Sequence, residues 1–154
     1  MVILSAGILM YRRDADALRV LLVHPGGPFW RRRDRGAWSI PKGEVSAGEA
    51  AEAAARREFK EELGQSAPGP LAALGRIRQG HGKEVEAFAV EGDFPVERMR
   101  SATFELEWPP RSGKRQTFSE VDRAAWFTLP AAREMILPGQ RPLLDRIEDH
   151  LATA

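Results

Sequence analysis

The chain of 154 residues contains no cysteine. That absence removes a disulfide framework, a thiolate zinc site and a cysteine nucleophile together. A membrane-spanning run is lacking too: the apolar N-terminal stretch MVILSAGILMYRRD is too short to cross a bilayer and has no basic region before it. Its Val and Ile residues suit an opening buried strand better than a signal peptide, so the expected location is cytoplasmic, with no membrane partner. Charge of one sign is also missing, with 23 Lys and Arg against 22 Asp and Glu, and the resulting +1 names no partner by itself. Hydrophobic residues at 43% and charged residues at 29% exclude a wholly disordered chain, and the length suffices to bury one core without staples. There is no internal repeat and no dividing linker. The expectation is one mixed α/β domain over residues 1–154.

What is present begins with strands. Residues 2–11 and 18–24 are short apolar runs bounded by turn formers, separated by the polar Arg12-Arg13-Asp14-Ala15-Asp16. A Gly- and Pro-rich loop covers 25–36, and residues 37–40 read as a short strand stopped by Pro41. A helix is predicted from about Ala47 to Leu63, with Ser46 as N-cap, Glu49 at capping-box spacing and Gly64 as a left-handed stop. Further strands are expected at 71–79, 83–91, 103–108 and 123–127. Two helices follow, one after Leu129-Pro130 and one opening at Pro142 with Leu143, Leu144, Ile147 and Leu151 on a stripe.

The helix over 47–63 carries the chemistry. At ~100° per residue, Glu58, Glu61 and Glu62 fall within an arc of roughly 100°. Like charges at neighbouring helical positions repel, and a cation between them relieves the repulsion. Hard oxygen donors favour Mg²⁺ or Mn²⁺. Arg57, four residues before Glu61, is placed to hold the carboxylates in register. The adjoining stripe Ala51, Ala55, Phe59 and Leu63 would bury the helix against a sheet. A solvated acidic surface with Arg56 and Lys60 as partners is the alternative for the cluster taken alone.

The wider spacing narrows the choice. Gly43, Glu49, Arg57-Glu58, Phe59, Glu61-Glu62 and Gly64 stand at intervals that make Gly43–Gln65 resemble the Nudix box, with Gln65 the one departure, where an aliphatic residue is usual. Ala37-Trp38-Ser39-Ile40-Pro41-Lys42 is similar to the usual approach to the box, and Glu120 with Trp126-Phe127 to the closing segment of many members. The resemblance implies an α/β/α sandwich around a mixed β-sheet. It implies metal ligation by Glu58, Glu61 and Glu62 with the Gly43 carbonyl, and an Arg57–Glu49 pair bracing the loop and helix. The implied reaction is attack of a metal-activated water on a phosphoanhydride of a nucleoside diphosphate linked to a second group. The general base is either Glu61 or a glutamate outside the box, Glu120 being the leading one.

Substrate choice is less legible. Basic clusters at 31–35 and 111–115 flank the box and suit an anion-binding rim. Arg31, Arg33, Lys42, Lys83 and Arg115 are candidates to meet phosphates, and Trp38 to stack on a base. The expected substrate is a small-molecule nucleoside triphosphate or dinucleoside polyphosphate, handled by a monomer or homodimer, with nucleic acid not the favoured partner. Two rivals remain: a catalytically idle nucleotide sensor, and an enzyme that removes pyrophosphate from RNA 5′ ends.

Overall fold

The computed structural model describes residues 1–153. Strand β1 (Ile3–Arg13) is central, running parallel to β5 (Lys83–Glu91) on one side. On its other side it pairs antiparallel with β3 (Lys42–Glu44) near its start and β2 (Leu18–Pro25) near its end. Strand β4 (Ala72–Gly80) adds to β5, and β8 (Val121–Thr128) adds to β2, giving a six-stranded mixed sheet. The hairpin β6 (Thr103–Glu107) and β7 (Arg115–Ser119) stands apart as a two-stranded ribbon.

Alternating side chains give the sheet two apolar faces, as the period of two demands. Ala6, Ile8, Met10, Leu21 and Val23 pack with Ala54, Ala55, Phe59 and Leu63 of helix α1 (Ala51–Leu63). Leu9, Tyr11, Val20 and Leu22 face the other way. They meet Leu129 and Ala132 of α2 (Leu129–Met135) and Leu143, Leu144 and Ile147 of α3 (Arg141–Thr153). This is the expected α/β/α layering. Among the described residues no helix is long and apolar enough to cross a membrane.

Two expectations are corrected. Residues 37–40 form only isolated bridges, Val23 with Ser39 and Trp38 with Ile136, while the strand begins past Pro41. Pro41 has no N–H to give a ladder, but its carbonyl accepts from Ile8 at 3.1 Å and sets the next residues against β1. The helix begins at Ala51 rather than Ala47, because Gly48 takes φ 76°, which a right-handed helix cannot contain. Ser46 N–H still donates to Glu49 at 3.0 Å, so half of the predicted capping box forms, as a loop contact instead of a cap. Residues 103–107 form the expected strand, and its partner is β7, a strand the sequence pattern did not predict.

Candidate active site

The site is built on the last turns of α1. Ala-rich sequence favours the helix, and Gly64 ends it at φ 85° with its N–H on the Lys60 carbonyl. Two of the free C-terminal carbonyls are then taken by the following chain: Arg100 N–H donates to Leu63 at 3.0 Å and Ala102 N–H to Glu61 at 2.7 Å. Ala102 in turn accepts from Glu120 N–H at 2.8 Å. The helix end therefore positions Glu120, although it lies 58 residues beyond Glu62 in sequence. Glu58, Glu61 and Glu120 each bring a carboxylate oxygen to within 4.8 Å of the others.

Glycine at position 43 has a steric reason. A Cβ there would lie 2.1 Å from the Glu58 carboxyl carbon, so that carboxylate rests directly on the β3 backbone. Only a residue without a side chain permits this approach.

Arg57 holds the loop and helix together. Its Nε donates to Glu49 at 2.9 Å and its Nη2 to Glu49 at 3.0 Å and to the Glu44 carbonyl at 3.0 Å. Its Nη1 reaches Glu58 at 2.7 Å and Glu61 at 3.4 Å. Glu49 is held down at about 2 by its hydrogen bonds from Arg57 and then Ser46. Hydrogen bonds to Glu49 and Glu58 raise the Arg57 guanidinium above its usual range. The bracing pair implied by the sequence resemblance is thus present.

The remaining carboxyls move the other way. Burial raises Glu58 most, with the Arg57 hydrogen bond opposing it. Burial pushes Glu62 well up, and the negative charge of Glu58 adds to it. Glu120 is raised by burial and then by Glu58 and Glu61. Carboxylates that are desolvated and mutually repelling offer hard oxygen donors to a divalent cation, which would offset both costs. The residues fit such an ion.

Beside the carboxylates lies a cleft of about 330 Å³, lined by Trp30, Lys42, Glu62, Gln79, Lys83 and Glu120 over apolar Val23, Ile40 and Leu137. Burial lowers the Lys42 ammonium despite the attraction of Glu62, and Lys83 lowers it further. Buried Gln140 fixes the cleft wall, accepting from Ile40 N–H at 3.1 Å and donating to Ser39 Oγ at 2.9 Å and Gln79 at 2.8 Å.

Of the predicted site residues, Glu58, Glu61 and Glu120 form the trio, while Glu62, Lys42 and Lys83 line the adjoining cleft. Trp38 is placed differently. It is 3% exposed, with its indole N–H on Asp34 at 2.8 Å and its ring edge-on to Phe127, so it presents no face on which a base could stack. Arg31, Arg33 and Arg115 are exposed, and none of them lines the cleft; Arg33 sits over the Trp30 ring at 5.6 Å and Arg115 faces Glu105 at 3.7 Å. Sequence reasoning missed Gln79 and Gln140. Gln79 follows Arg76 and Arg78 in β4 and Gln140 follows Pro138-Gly139, so neither stood out by pattern.

The NUDIX domain family model matches residues 1–147. An RNA pyrophosphohydrolase from Caulobacter vibrioides is 31% identical, with the match covering 83% of this chain and 80% of that protein. An Ap4A hydrolase from C. elegans, solved as a binary complex, is similar in structure at a TM-score of 0.68 and 22% identity, covering 97% of this chain and 99% of its own. The NUDIX domain of NrtR from Shewanella oneidensis, complexed with ADP ribose, is similar at a TM-score of 0.65 and 18% identity, covering 98% and 89%. The structural likenesses speak for the fold, and the family model and the curated relative speak for descent: the chain belongs to the Nudix hydrolase family.

Proposed function

We propose that this protein is a divalent-metal-dependent pyrophosphohydrolase that cleaves a phosphoanhydride bond in a nucleotide polyphosphate. The observation that carries this reading is the meeting of Glu58, Glu61 and Glu120 within 4.8 Å at the edge of a cleft holding Lys42 and Lys83. Glu58, Glu61 and Glu120 would hold the ion, with Glu62 alongside and the Gly43 carbonyl as a further donor. Mg²⁺ or Mn²⁺ bound there supplies Lewis-acid polarisation of phosphoryl oxygens and a water of lowered pKa.

The chain's own groups supply the rest. Lys42 and Lys83 bind phosphate oxygens and set the anhydride in line for attack, positioning being the larger part of phosphoryl transfer catalysis. The water oxygen bonds to phosphorus, the bridging P–O bond breaks, and the water's proton passes to a carboxylate. Arg57 touches no substrate; it keeps Glu58 and Glu61 in place.

A nucleoside triphosphate or dinucleoside polyphosphate is the favoured substrate, acted on by a single catalytic domain in the cytoplasm, as monomer or homodimer. The 5′ end of RNA is a second reading, favoured by the activity named for the Caulobacter relative. A phosphate-release screen with Mg²⁺ or Mn²⁺ tests both, using nucleoside triphosphates, dinucleoside polyphosphates, nucleotide sugars and 5′-triphosphate RNA. Turnover abolished by EDTA and by Glu58→Gln supports the reading. Silence across the panel from folded, metal-binding protein would favour a nucleotide sensor instead.

A further inference from the structure

One buried polar group lies outside this chemistry. His24 closes the apolar run of β2 and is fully buried, in T-shaped contact with Trp38 at 5.3 Å between ring centroids. Its Nδ1 stands 2.8 Å from the Asp122 carboxylate and its Nε2 2.5 Å from the Arg33 carbonyl. The ring thus bridges the Asp122 carboxylate of β8 and the Arg33 backbone carbonyl. The neighbouring charged groups are Arg123, whose guanidinium lies over Trp38 at 5.1 Å, and Asp34, which takes the Trp38 N–H.

Arg33 passes this anchorage on. Its own N–H donates to the Trp30 carbonyl at 2.9 Å and its guanidinium covers the Trp30 ring. Trp30 lines the cleft together with Lys42 and Glu62. At the other end of the loop, Gly26 N–H donates to the Glu120 carbonyl at 2.9 Å. The loop over 26–36 is thus tied to β2 and β8, and at its far end to α2, where Gly36 N–H donates to the Glu134 carbonyl at 3.1 Å; His24, seated on Asp122, holds its middle at the Arg33 carbonyl.

We propose that His24 is a positioning residue that, with Asp122, fixes loop 26–36 so that Trp30 forms the substrate-facing wall of the cleft. This deepens the reading of the cleft as the substrate site and rests on it. Loss of the fastening frees the wall while leaving the carboxylates on α1 untouched, so it weakens substrate binding rather than the chemical step.

The test uses His24→Phe, which keeps a ring against Trp38 and removes both ring nitrogens, together with Asp122→Asn, which alters the acceptor that seats the ring at Nδ1. Three readouts are taken: amide hydrogen exchange over 28–36, Mn²⁺ affinity, and KM and kcat on the best substrate of the wild type. The expected result is at least tenfold faster exchange in 28–36 with α1 unchanged, Mn²⁺ affinity within twofold, KM raised about tenfold and kcat within threefold. Asp122→Asn, at a half-exposed position, gives the same pattern with smaller size and keeps the test open if His24→Phe does not fold. Exchange and KM like those of the wild type in either folded variant overturn the proposal. So does a fall in kcat and Mn²⁺ affinity at unchanged KM. The exchange readout needs no turnover, so failure of the proposed activity is distinguishable from failure of the fastening.

Discussion

Replacing Gly43 by Ala separates function from stability at one atom. The added Cβ would lie 2.1 Å from the Glu58 carboxyl carbon, where ordinary contact begins at 3.4 Å. The carboxylate must therefore retreat by about 3.4 − 2.1 = 1.3 Å. Since the obstacle is the end of a side chain, the backbone need not move. Gly→Ala also stabilises through the unfolded chain by about 0.4–1 kcal/mol where the new residue fits. Net stability should then change by about 1 kcal/mol or less. The consequence for the site is far larger. A reacting group misplaced by about 1 Å costs on the order of 10²-fold in rate, and disturbing a ligand's support weakens metal binding by about 10–100-fold. Mn²⁺ titration followed by EPR, steady-state turnover and a thermal melt read the three quantities on one preparation. Unchanged Mn²⁺ affinity and kcat in a folded Gly43→Ala variant would refute the steric argument and remove Glu58 from the centre.

Other perturbations give different signatures. Gly26→Ala meets backbone instead, its Cβ falling 1.9 Å from the Ser119 carbonyl oxygen, and should lose about 2 kcal/mol or more in chemical denaturation. Arg57→Lys cannot reproduce the fork that joins Glu49, Glu58 and the Glu44 carbonyl, and kcat/KM should drop by about 10–100-fold with the fold retained. Glu49, depressed from 4.5 to about 2, stabilises the fold above pH 4.5 and loses that contribution as pH falls through about 2, so the melting difference between wild type and Glu49→Gln should shrink over that window. Glu58, Glu62 and Glu120 are shifted upward, so the folded metal-free protein holds protons that the unfolded chain has released; its stability should fall as pH climbs above 4.5, and added Mn²⁺ should restore it.

Much of this was legible in the sequence, for identifiable reasons. The strands β1 and β2 are apolar runs between turn formers, β4 and β5 flank the turn at Gly80-His81-Gly82, and α1 carries both its stripe and its stop at Gly64, so local pattern sufficed. The Arg57–Glu49 pair and the acidic face followed from spacing and family resemblance. What escaped depends on contacts distant in sequence or on single backbone angles. Gly48 at φ 76° delayed the helix. Trp38 has the composition of a stacking residue, but its bridges to Ile136 and Asp34 bury it. The His24–Asp122 pair spans 98 residues and exists only because β8 pairs with β2. Glu120 was named from resemblance, and its physical cause, the capping of α1 by residues 100–102, is visible only in three dimensions.

On the proposed function, Glu58, Glu61 and Glu120 would together hold the divalent cation. Anomalous diffraction from crystals soaked in Mn²⁺ tests it most directly. The expected result is one strong peak about 2.0–2.3 Å from an oxygen of each of the three carboxylates, lost in Glu58→Gln together with turnover. A fully occupied Mn²⁺ elsewhere, or an active Glu58→Gln enzyme with no peak at this trio, would contradict it.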